Sequence, residues 1–371
     1  MGVDYHFIAT ICVMILTVVV ATPTTISNDD LQLRDLSKSL DSFGTKLYSK
    51  IAKRSAEKNI IFSPFSIETS LAMVRLGATG PTAEEIDNSL NLKFNNAEKL
   101  SNYFRKILSK YQNSNFLQMA NKIYIMETFK LQDQYNGLLT KNFFTSAENV
   151  NFTQNIKAAE TMNSWVAAKT NQLIKNLIAA DDLDRTTRMV LLNAIYFKGE
   201  WAQGFPEHAT RQQKFYIDAT NSVNVDMMHM KGKFRYGEID QLDATALEMP
   251  YKNSDLYMLV ILPNSRDGLE NLRIKLKSLS LQELRDNMFE TTVQVEMPKF
   301  KAEFTIELKD VLQRLGMERM FSKEAEFGEL INTSETIEVS KVLHKAFIDV
   351  NEKGTEAAAS TGGLVFKLLT L

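Results

Sequence analysis

The sequence predicts a single large domain of the α+β class, and three observations support this prediction. Patterns typical of helices dominate the first half of the chain, whereas long apolar strands dominate the second half, unlike the regular alternation of a βαβ fold. No repeat, long linker or clear boundary divides the 371 residues. A composition of 44% hydrophobic and 24% charged residues is that of a globular protein, and a chain of this length can bury a large core.

The helical patterns come first along the chain. Apolar residues recur at steps of three and four from Leu33 to Ile51, which is typical of an amphipathic helix. Ser66 can cap a second helix, Gly77 would end it, and Pro81 stands at the start of a third. A further helix is predicted to carry Met162, Trp165, Val166, Leu173 and Leu177.

Three later segments have the patterns of strands. The segments RMVLLNAIYF and LYMLVILP are apolar at every position or nearly so, which indicates strands buried on both faces. The segment TTVQVEMPKF alternates, with Val293, Val295 and Met297 on one side. We therefore expect large sheets in the second half of the chain.

The N-terminal segment, residues 1–21, is predicted to be a secretory signal peptide. Its apolar run from Phe7 to Ala21 is too short to span a bilayer comfortably and ends in small residues. The residues before the run include Asp4 and no Lys or Arg, so a signal-anchor helix is the alternative. The mature protein is expected to be secreted and extracellular, with no membrane contact after cleavage.

The charge and the single cysteine exclude several classes of function. A net charge of −2 gives no reason to expect nucleic acid or a membrane surface as a partner. Cys12 lies inside the predicted signal peptide, so the mature chain would have no disulfide, no reactive thiolate and no cysteine metal site. Two acceptor triplets make Asn151 and Asn332 candidates for glycosylation in a secreted protein.

The inventory of catalytic groups is small. None of the four histidines, His6, His208, His229 and His344, stands in a metal-binding spacing. No nucleophile elbow, phosphate-binding glycine loop or dinucleotide fingerprint is present. We expect no metal, no cofactor and no enzymatic activity.

Four polar residues stand in apolar surroundings. Asn193 interrupts VLLNAIYF, His344 precedes the strand KAFIDV, and Ser63 and Ser66 flank a proline at a helix start. An isolated buried amide costs a few kcal/mol unless it forms hydrogen bonds, so we predict that Asn193 belongs to a satisfied network.

Long segments of the chain resemble the serpin family, in the order that the family has them. The resemblance covers nearly all of the chain after the predicted signal peptide. The segments are NIIFSPFSIETSLAMVRLGATGPTAEEI, LLNAIYFKGEWAQGFP, ALEMPYKNSDLYMLVILPN, VEMPKFKAEF and VSKVLHKAFIDVNEKGTEAAAST. The resemblance implies a serpin domain over residues 30–371: a helical body packed on three β-sheets, with an exposed reactive-centre loop at residues 352–371.

The resemblance also assigns roles to single residues. Trp201 matches the tryptophan of the breach, where the loop first enters the large sheet, and Lys345 matches a residue beside the shutter. The shutter, a polar cluster beneath the point where the sheet parts, is matched by Ser63, Ser66, Asn193 and His344. The hinge fits the family's inhibitory pattern and comprises Glu352, Lys353, Gly354, Thr355, Glu356, Ala357, Ala358, Ala359, Ser360 and Thr361.

The hinge has the alternation of a strand that can enter a sheet. If Thr355 faces the core, the same parity holds only small uncharged residues, and Glu356 falls on the outward parity. Gly354 and the pair at 362–363 supply backbone freedom at the bends. A slack tail would explain the composition but not this parity. The inward set is Thr355, Ala357, Ala359 and Thr361, and the outward set is Glu356, Ala358 and Ser360.

The mechanism that the resemblance implies is suicide inhibition of a serine protease. Counted by the family's spacing, the reactive-site bond is Leu368–Leu369, which suggests a chymotrypsin-like or elastase-like target. Phe366 and Lys367 are alternative reactive-site residues, and Lys367 would indicate a trypsin-like target. The inhibitor is expected to act as a monomer.

One feature departs from the family pattern. The chain ends at Leu371, whereas serpins continue with further strands, so we expect this chain alone to fold poorly or to be inactive. An incomplete gene model, a splice product and a body completed by a separate peptide all remain open. The alternative function is a non-inhibitory or inactive truncated serpin with a carrier, chaperone or regulatory role.

Overall fold

The computed structural model describes residues 5–8, 15–16, 28–52, 59–92, 97–112, 117–276, 281–332 and 335–355. Most of the α-helices come before the long strands, as the sequence predicts. The helices are α1 (Asn28–Ala52), α2 (Pro64–Gly77), α3 (Gly80–Ser89), α4 (Ala97–Tyr111), α5 (Asp133–Phe143), α6 (Asn155–Lys169), α7 (Leu269–Lys275), α8 (Leu281–Asp286) and α9 (Lys309–Gln313).

The strands belong to two hydrogen-bonded sheets. They are β1 (Tyr5–Ile8), β2 (Ile15–Leu16), β3 (Leu117–Met126), β4 (Ala147–Val150), β5 (Met189–Phe197), β6 (Gly199–Glu200), β7 (Arg211–Tyr216), β8 (Ser222–Ile239), β9 (Ala244–Pro250), β10 (Tyr257–Pro263), β11 (Phe289–Pro298), β12 (Phe300–Glu307), β13 (Val339–Asn351) and β14 (Gly354–Thr355).

The predicted helices are present, with two corrections at their ends. Ser63, not Ser66, caps α2: the Ser63 side chain accepts a hydrogen bond from the Ser66 backbone N–H, because Pro64 takes the first helical position. Helix α2 ends at Gly77, as predicted. Helix α6 ends at Lys169, so Leu173 and Leu177, which the sequence analysis placed on it, lie in the following segment.

The first sheet has the strand order β4–β3–β5–β13–β14–β6, and β12 pairs with β13. Strand β5 is buried at every residue, which confirms the prediction for its apolar sequence. It is antiparallel to β3 and parallel to β13. We call the line of contact between β5 and β13 the seam. Helix α2 packs against β3 and β5.

The second sheet has the order β1–β11–β8–β9–β10–β2, and β7 pairs with β8. Val293, Val295 and Met297 of β11 are buried, as the alternation predicts. The 18-residue strand β8 pairs with β11 along most of its length and with β9 at its end. Because β8 pairs with both β11 and β9, it joins strands that could otherwise form separate sheets into one sheet. The described strands therefore form two sheets in total, whereas three were expected.

Two short strands come from the N-terminal segment that was predicted to be a signal peptide. Strand β1 runs parallel to β11, and β2 runs antiparallel to β10. Cys12 and the predicted cleavage position at Ala21 lie outside the described residues. The signal peptide therefore stays a prediction. In the described part of the chain, no helix has both the length and the hydropathy that crossing a bilayer requires.

Candidate functional site

A buried polar cluster lies at the middle of the seam. His344 of β13 stands directly opposite Asn193 of β5 in the parallel ladder, and its Nδ1 bonds the Asn193 side-chain oxygen. The other ring nitrogen, Nε2, accepts a hydrogen bond of 3.2 Å from the Ser63 backbone N–H. These contacts place the ring proton on Nδ1. Burial lowers the pKa of His344 to about 3, so the ring is neutral.

The Asn193 amide joins this cluster to the start of α2. Its Nδ2 lies 2.6 Å from the Ser66 carbonyl oxygen, 2.7 Å from the Ser66 hydroxyl and 3.1 Å from the Ser70 hydroxyl. Asn121 of β3 completes the cluster, because its side-chain oxygen accepts from Ser66 and from Asn193. The prediction that the Asn193 amide is hydrogen-bonded is confirmed. Side chains of α2, β3, β5 and β13 thus meet at one buried point.

At the C-terminal ends of β5 and β13, which we call the upper end of the seam, the two residues of β14 separate the neighbouring strands. After β13 the chain turns at Glu352 and Lys353, and β14 returns antiparallel to β13. On its other edge β14 pairs antiparallel with β6, which continues from β5. Strand β14 therefore lies between the upper ends of the two strands that form the seam below it.

Trp201 directly follows β6 and forms two hydrogen bonds with the turn between β13 and β14. Its indole N–H donates to the Asn351 carbonyl at 3.0 Å, and its backbone N–H donates to the Lys353 carbonyl at 2.9 Å. The indole ring stacks on the Tyr251 ring with centroids 4.8 Å apart and planes 13° apart. The tryptophan that the resemblance assigned to the entry point thus contacts the turn at the start of the hinge.

The two residues of β14 fit closely into their position. Thr355 is fully buried, and its hydroxyl lies 2.7 Å from the Tyr251 hydroxyl. Gly354 approaches β6 so closely that an added Cβ would overlap the carbonyl oxygen of Gly199. Gly199 in turn has no space for a Cβ, because the Tyr251 ring lies against it. A larger residue at Gly354 would force β14 away from β6, and a larger residue at Gly199 would push against the rings of Tyr251 and Phe197.

Glu352 is held by charged and polar partners. Its carboxylate lies 3.0 Å from Lys299 Nζ and accepts a 2.9 Å hydrogen bond from the Thr210 hydroxyl. Its backbone carbonyl accepts from the Phe205 N–H at 2.8 Å. Burial by itself would raise the pKa of Glu352, but the backbone hydrogen bond and the contacts with Lys299 and Thr210 outweigh it and lower the pKa.

Lys345 connects β13 to the segment after α6. Its nearly buried ammonium group donates to the Asn176 carbonyl at 3.0 Å and pairs with the Glu303 carboxylate of β12. Lys345 therefore joins β13 both to the neighbouring strand β12 and to the segment that follows α6.

The structure brings together Ser63, Ser66, Asn193 and His344, and it places Trp201 at the start of the hinge, as stated above. The described part of the hinge is Glu352, Lys353, Gly354 and Thr355. The remaining hinge residues (Glu356–Thr361) and the proposed reactive-site residues Phe366, Lys367, Leu368 and Leu369 lie outside the described residues. The assigned roles of all these residues stay predictions.

The other candidate residues lie elsewhere. Asn151 donates to the Glu127 carboxylate at 2.6 Å and accepts from the Thr153 N–H at 2.9 Å, whereas Asn332 is exposed. His208 is exposed, and His229 lies 3.5 Å from Glu296. The described residues contain no group of three His, Cys, Asp or Glu side chains that could hold a metal ion.

Several site residues were not found from the sequence. Ser70 could have been, because it lies one helical turn after Ser66 and shares its face. Asn121 also interrupts an apolar strand, but the sequence does not reveal which strand it opposes. Tyr251, Thr210 and Lys299 carry no local signal, since they reach the site only through the pairing of distant strands.

Comparisons with known proteins agree with this architecture. The family model described as serpin (serine protease inhibitor) matches residues 38–370. Human serpin B4 is 36% identical and covers 91% of both chains. Antichymotrypsin-2 of Bombyx mori is 34% identical over 86% of this chain and 85% of the relative.

Solved structures give the same result. Cleaved serpin 42Da is 44% identical, with a TM-score of 0.84 and 87% of both chains covered. Serpin48 of the insect Tenebrio molitor is 34% identical, with a TM-score of 0.83 and 90% of both chains covered. The family model spans residues 38–370, and the relatives and structures named above each cover 86–91% of this chain. The protein therefore belongs to the serpin family of serine protease inhibitors.

Proposed function

We propose that the chain is a secreted serine protease inhibitor that acts as a suicide substrate and turns over no substrate of its own. The observation that supports this most directly is the position of β14 between β13 and β6. The hinge already begins as a strand inside the sheet, at the upper end of the seam. Extension of that strand would carry the reactive loop into the sheet.

The strand directions favour this extension. Strands β5 and β13 are parallel to each other, and β14 is antiparallel to β13 and to β6. A strand that continued β14 down the seam would replace one parallel ladder with two antiparallel ladders. Antiparallel pairing is slightly more stable per residue, and one additional strand would be buried. The small inward set of the hinge would enter without displacing the core.

The reaction would begin with cleavage. The protease serine attacks the carbonyl carbon of Leu368, the bond to the Leu369 nitrogen breaks, and the protease remains attached as an ester. Insertion then moves the ester. The 13 residue steps from Thr355 to Leu368 correspond to roughly 43 Å at about 3.3 Å per step. A protease displaced over this distance would leave its docking position before deacylation, with the free energy of insertion driving the movement.

Mixing the full-length chain with chymotrypsin, elastase and trypsin tests the proposal. We expect a band at the summed mass on a denaturing gel, with chymotrypsin or elastase if Leu368 is used and with trypsin if Lys367 is used. Cleavage without such a band for all three proteases would contradict suicide inhibition and favour the carrier or regulatory alternative.

A variant at the hinge isolates the role of insertion. Thr355→Arg places a long charged side chain at a fully buried position, so we expect cleavage without a stable complex. Lys353→Ala is the matched control, because the Lys353 side chain is 62% exposed two residues earlier. Equal complex yields for Thr355→Arg and the wild type would show that inhibition does not require residue 355 to stay buried in the sheet.

Secretion and glycosylation are separate parts of the proposal. Expression in insect cells should release a protein whose N-terminus lies close to residue 22, and Edman sequencing reads this directly. A glycosidase should reduce its apparent mass, with Asn151→Gln and Asn332→Gln removing the shift singly or together. A protein that keeps residues 1–21 and remains with the membrane fraction would support the signal-anchor alternative.

A further inference from the structure

The seam opens over two rows of residues that lie between its paired part and β14. The last pair in the ladder of β5 with β13 is Tyr196 and Phe347. Three residues further along both strands, Thr355 of β14 stands opposite Val350 of β13 and opposite Gly199 of β6. The two rows between these points are paired neither with each other nor with a described residue of β14. We call these two rows the fork.

One row of the fork faces the interior and the other faces outward. Phe197 and Ile348 form the inner row and belong to an apolar core cluster with residues of both sheets. Because side chains alternate along a strand, Lys198 and Asp349 form the outer row. An added Cβ on Gly199 would again point into the interior, so no bulge interrupts the alternation at Lys198.

The outer row carries one positive charge in excess. The Asp349 carboxylate is almost fully buried and lies 2.7 Å from the ammonium group of Lys301, which stands directly opposite it on β12. Lys198 is half-buried, and its ammonium group forms no hydrogen bond or ion pair with another residue that the structure describes. Two lysines in this row thus share one carboxylate.

The register of β14 determines which residue would enter this row. Gly354 and Thr355 pair with residues 351 and 350 of β13 and with residues 200 and 199 of β6. If β14 continues by one residue in the same register, Glu356 comes to stand between Asp349 and Lys198. Because Thr355 faces the interior, Glu356 would face outward, on the same side as both of these residues.

Lys198 would balance the charge of the incoming carboxylate. With Glu356 in place, the row would hold two carboxylates and two ammonium groups. Without Lys198, Lys301 alone would have to balance both carboxylates, and Glu356 would stand directly opposite Asp349. Like charges in directly opposite positions destabilise a sheet, and solvent screens them only weakly in a partly buried row.

We propose that Lys198 is a positioning residue for loop insertion, which receives the Glu356 carboxylate as the hinge enters the fork. This inference rests on the proposed function. The contact would form before the next outward row has to open, where the Tyr196 and Phe347 rings lie with their centroids 6.4 Å apart. A hinge that is held at the fork inserts sooner, which leaves the ester less time for deacylation and raises the fraction of protease that is trapped.

A reversal of the two charges tests the contact. Full-length Lys198→Glu would be mixed with the protease that gives the wild type its covalent complex. We expect the ratio of complex to free cleaved inhibitor to fall at least about threefold, because three carboxylates would then meet in one row. The double variant Lys198→Glu/Glu356→Lys should restore the wild-type ratio, since the four charges of the row would then alternate in sign.

Two comparisons exclude simpler causes. Lys214→Glu makes the same change in net charge at an exposed position of β7, and it should keep the wild-type ratio. A folding defect caused by Lys198→Glu would not be repaired by a second charge change at residue 356, so the recovery in the double variant separates a folding defect from a lost contact.

Failure of the contact and failure of the proposed function give different results. If the wild type forms the complex and Lys198→Glu forms it in the same ratio, or the double variant is no better than Lys198→Glu, the contact is absent while inhibition stands. If the wild type forms no complex, the melting temperature after nicking of the reactive loop reports insertion instead. A rise that is smaller in Lys198→Glu and restored in the double variant would support the contact without inhibition, and no rise in the wild type would overturn both.

Discussion

The hydroxyl of Thr355 lies 2.7 Å from the hydroxyl of Tyr251, and both side chains are buried. Thr355 is the last described residue of the hinge, and Tyr251 stacks on Trp201 and meets the Phe197 ring edge-on. One hydrogen bond therefore joins β14 to an aromatic group formed by Tyr251, Trp201 and Phe197. Because both side chains are buried, loss of either hydroxyl would take this hydrogen bond from the other.

A double-mutant cycle on this pair should show strong coupling. Tyr251→Phe leaves the Thr355 hydroxyl buried without its partner and should cost about 1–3 kcal/mol in the free energy of unfolding. Thr355→Val should cost a similar amount. The double variant should be about as stable as either single variant, because no unpaired hydroxyl remains. Urea unfolding measures all four proteins, and strictly additive losses would show that the two hydroxyls do not interact.

Gly354→Ala should release β14 from the sheet. The added Cβ would overlap the Gly199 carbonyl, and the backbone of β6 cannot move without disturbing Tyr251. We expect faster amide exchange at Gly354 and Thr355 and a lower yield of covalent complex. Gly137→Ala in α5 is the matched control, because no atom lies within 4 Å of its added Cβ. That control should be neutral or gain up to about 1 kcal/mol. Unchanged exchange in Gly354→Ala would mean that the contact is not needed.

The alternation of residues along the chain predicted the buried faces of the strands but not their partners. Val293, Val295 and Met297 are buried as expected, since a period of two fixes which face points inward. The long pairing of β8 with both β11 and β9 was missed, because periodicity contains no information on pairing. The two-sheet connectivity follows from that pairing alone.

The same limit applies to the candidate site. Asn193 and His344 stood out because polar residues in buried strands require partners, and each has them. Tyr251, Thr210 and Lys299 have no unusual local context and reach the hinge only through tertiary structure. The serine that caps α2 is Ser63 and not the predicted Ser66, because Pro64 takes the first helical position.

His344 should make the protein less stable in mild acid. Its folded pKa is lowered by burial to about 3, whereas the unfolded chain has the ordinary value of 6.5. Between pH 6.5 and 3 the unfolded state therefore binds a proton that the folded state does not bind. This group alone should reduce the free energy of unfolding by about 1.4 kcal/mol per pH unit between pH 6.5 and 3.

His344→Gln should flatten that part of the pH profile by about one proton, although it also lowers stability at pH 8 by loosening the seam cluster. His208→Gln, at an exposed histidine, is the control and should leave the profile unchanged. Urea unfolding at intervals from pH 4 to 8 gives the slopes. Identical acid slopes for His344→Gln and the wild type would mean that the folded protein accepts the proton.

Glu68 should lower the free energy of unfolding as pH rises, whereas His344 lowers it as pH falls. It is fully buried in α2, its Oε1 lies 3.5 Å from the Ser39 hydroxyl, and its Oε2 has no hydrogen-bond partner among the described residues. Burial raises its pKa well above the usual 4.5, and the Ser39 hydroxyl only partly opposes this. The folded state therefore keeps a proton that the unfolded state loses.

The raised pKa of Glu68 makes the folded protein less stable at high pH than at low pH. The contribution of Glu68 is fully present below pH 4.5, decreases by about 1.4 kcal/mol per pH unit as pH rises towards the folded pKa, and is constant above it. Glu68→Gln, which keeps the shape but cannot ionise, should remove this decrease and so be more stable than the wild type at pH 8. Glu84→Gln, at an exposed position of α3, should change nothing. If the wild type and Glu68→Gln lose stability in parallel from pH 5 to 8, water or a cation must reach the carboxylate. The helix that supplies Ser63, Ser66 and Ser70 to the seam would then be less tightly packed than its burial indicates.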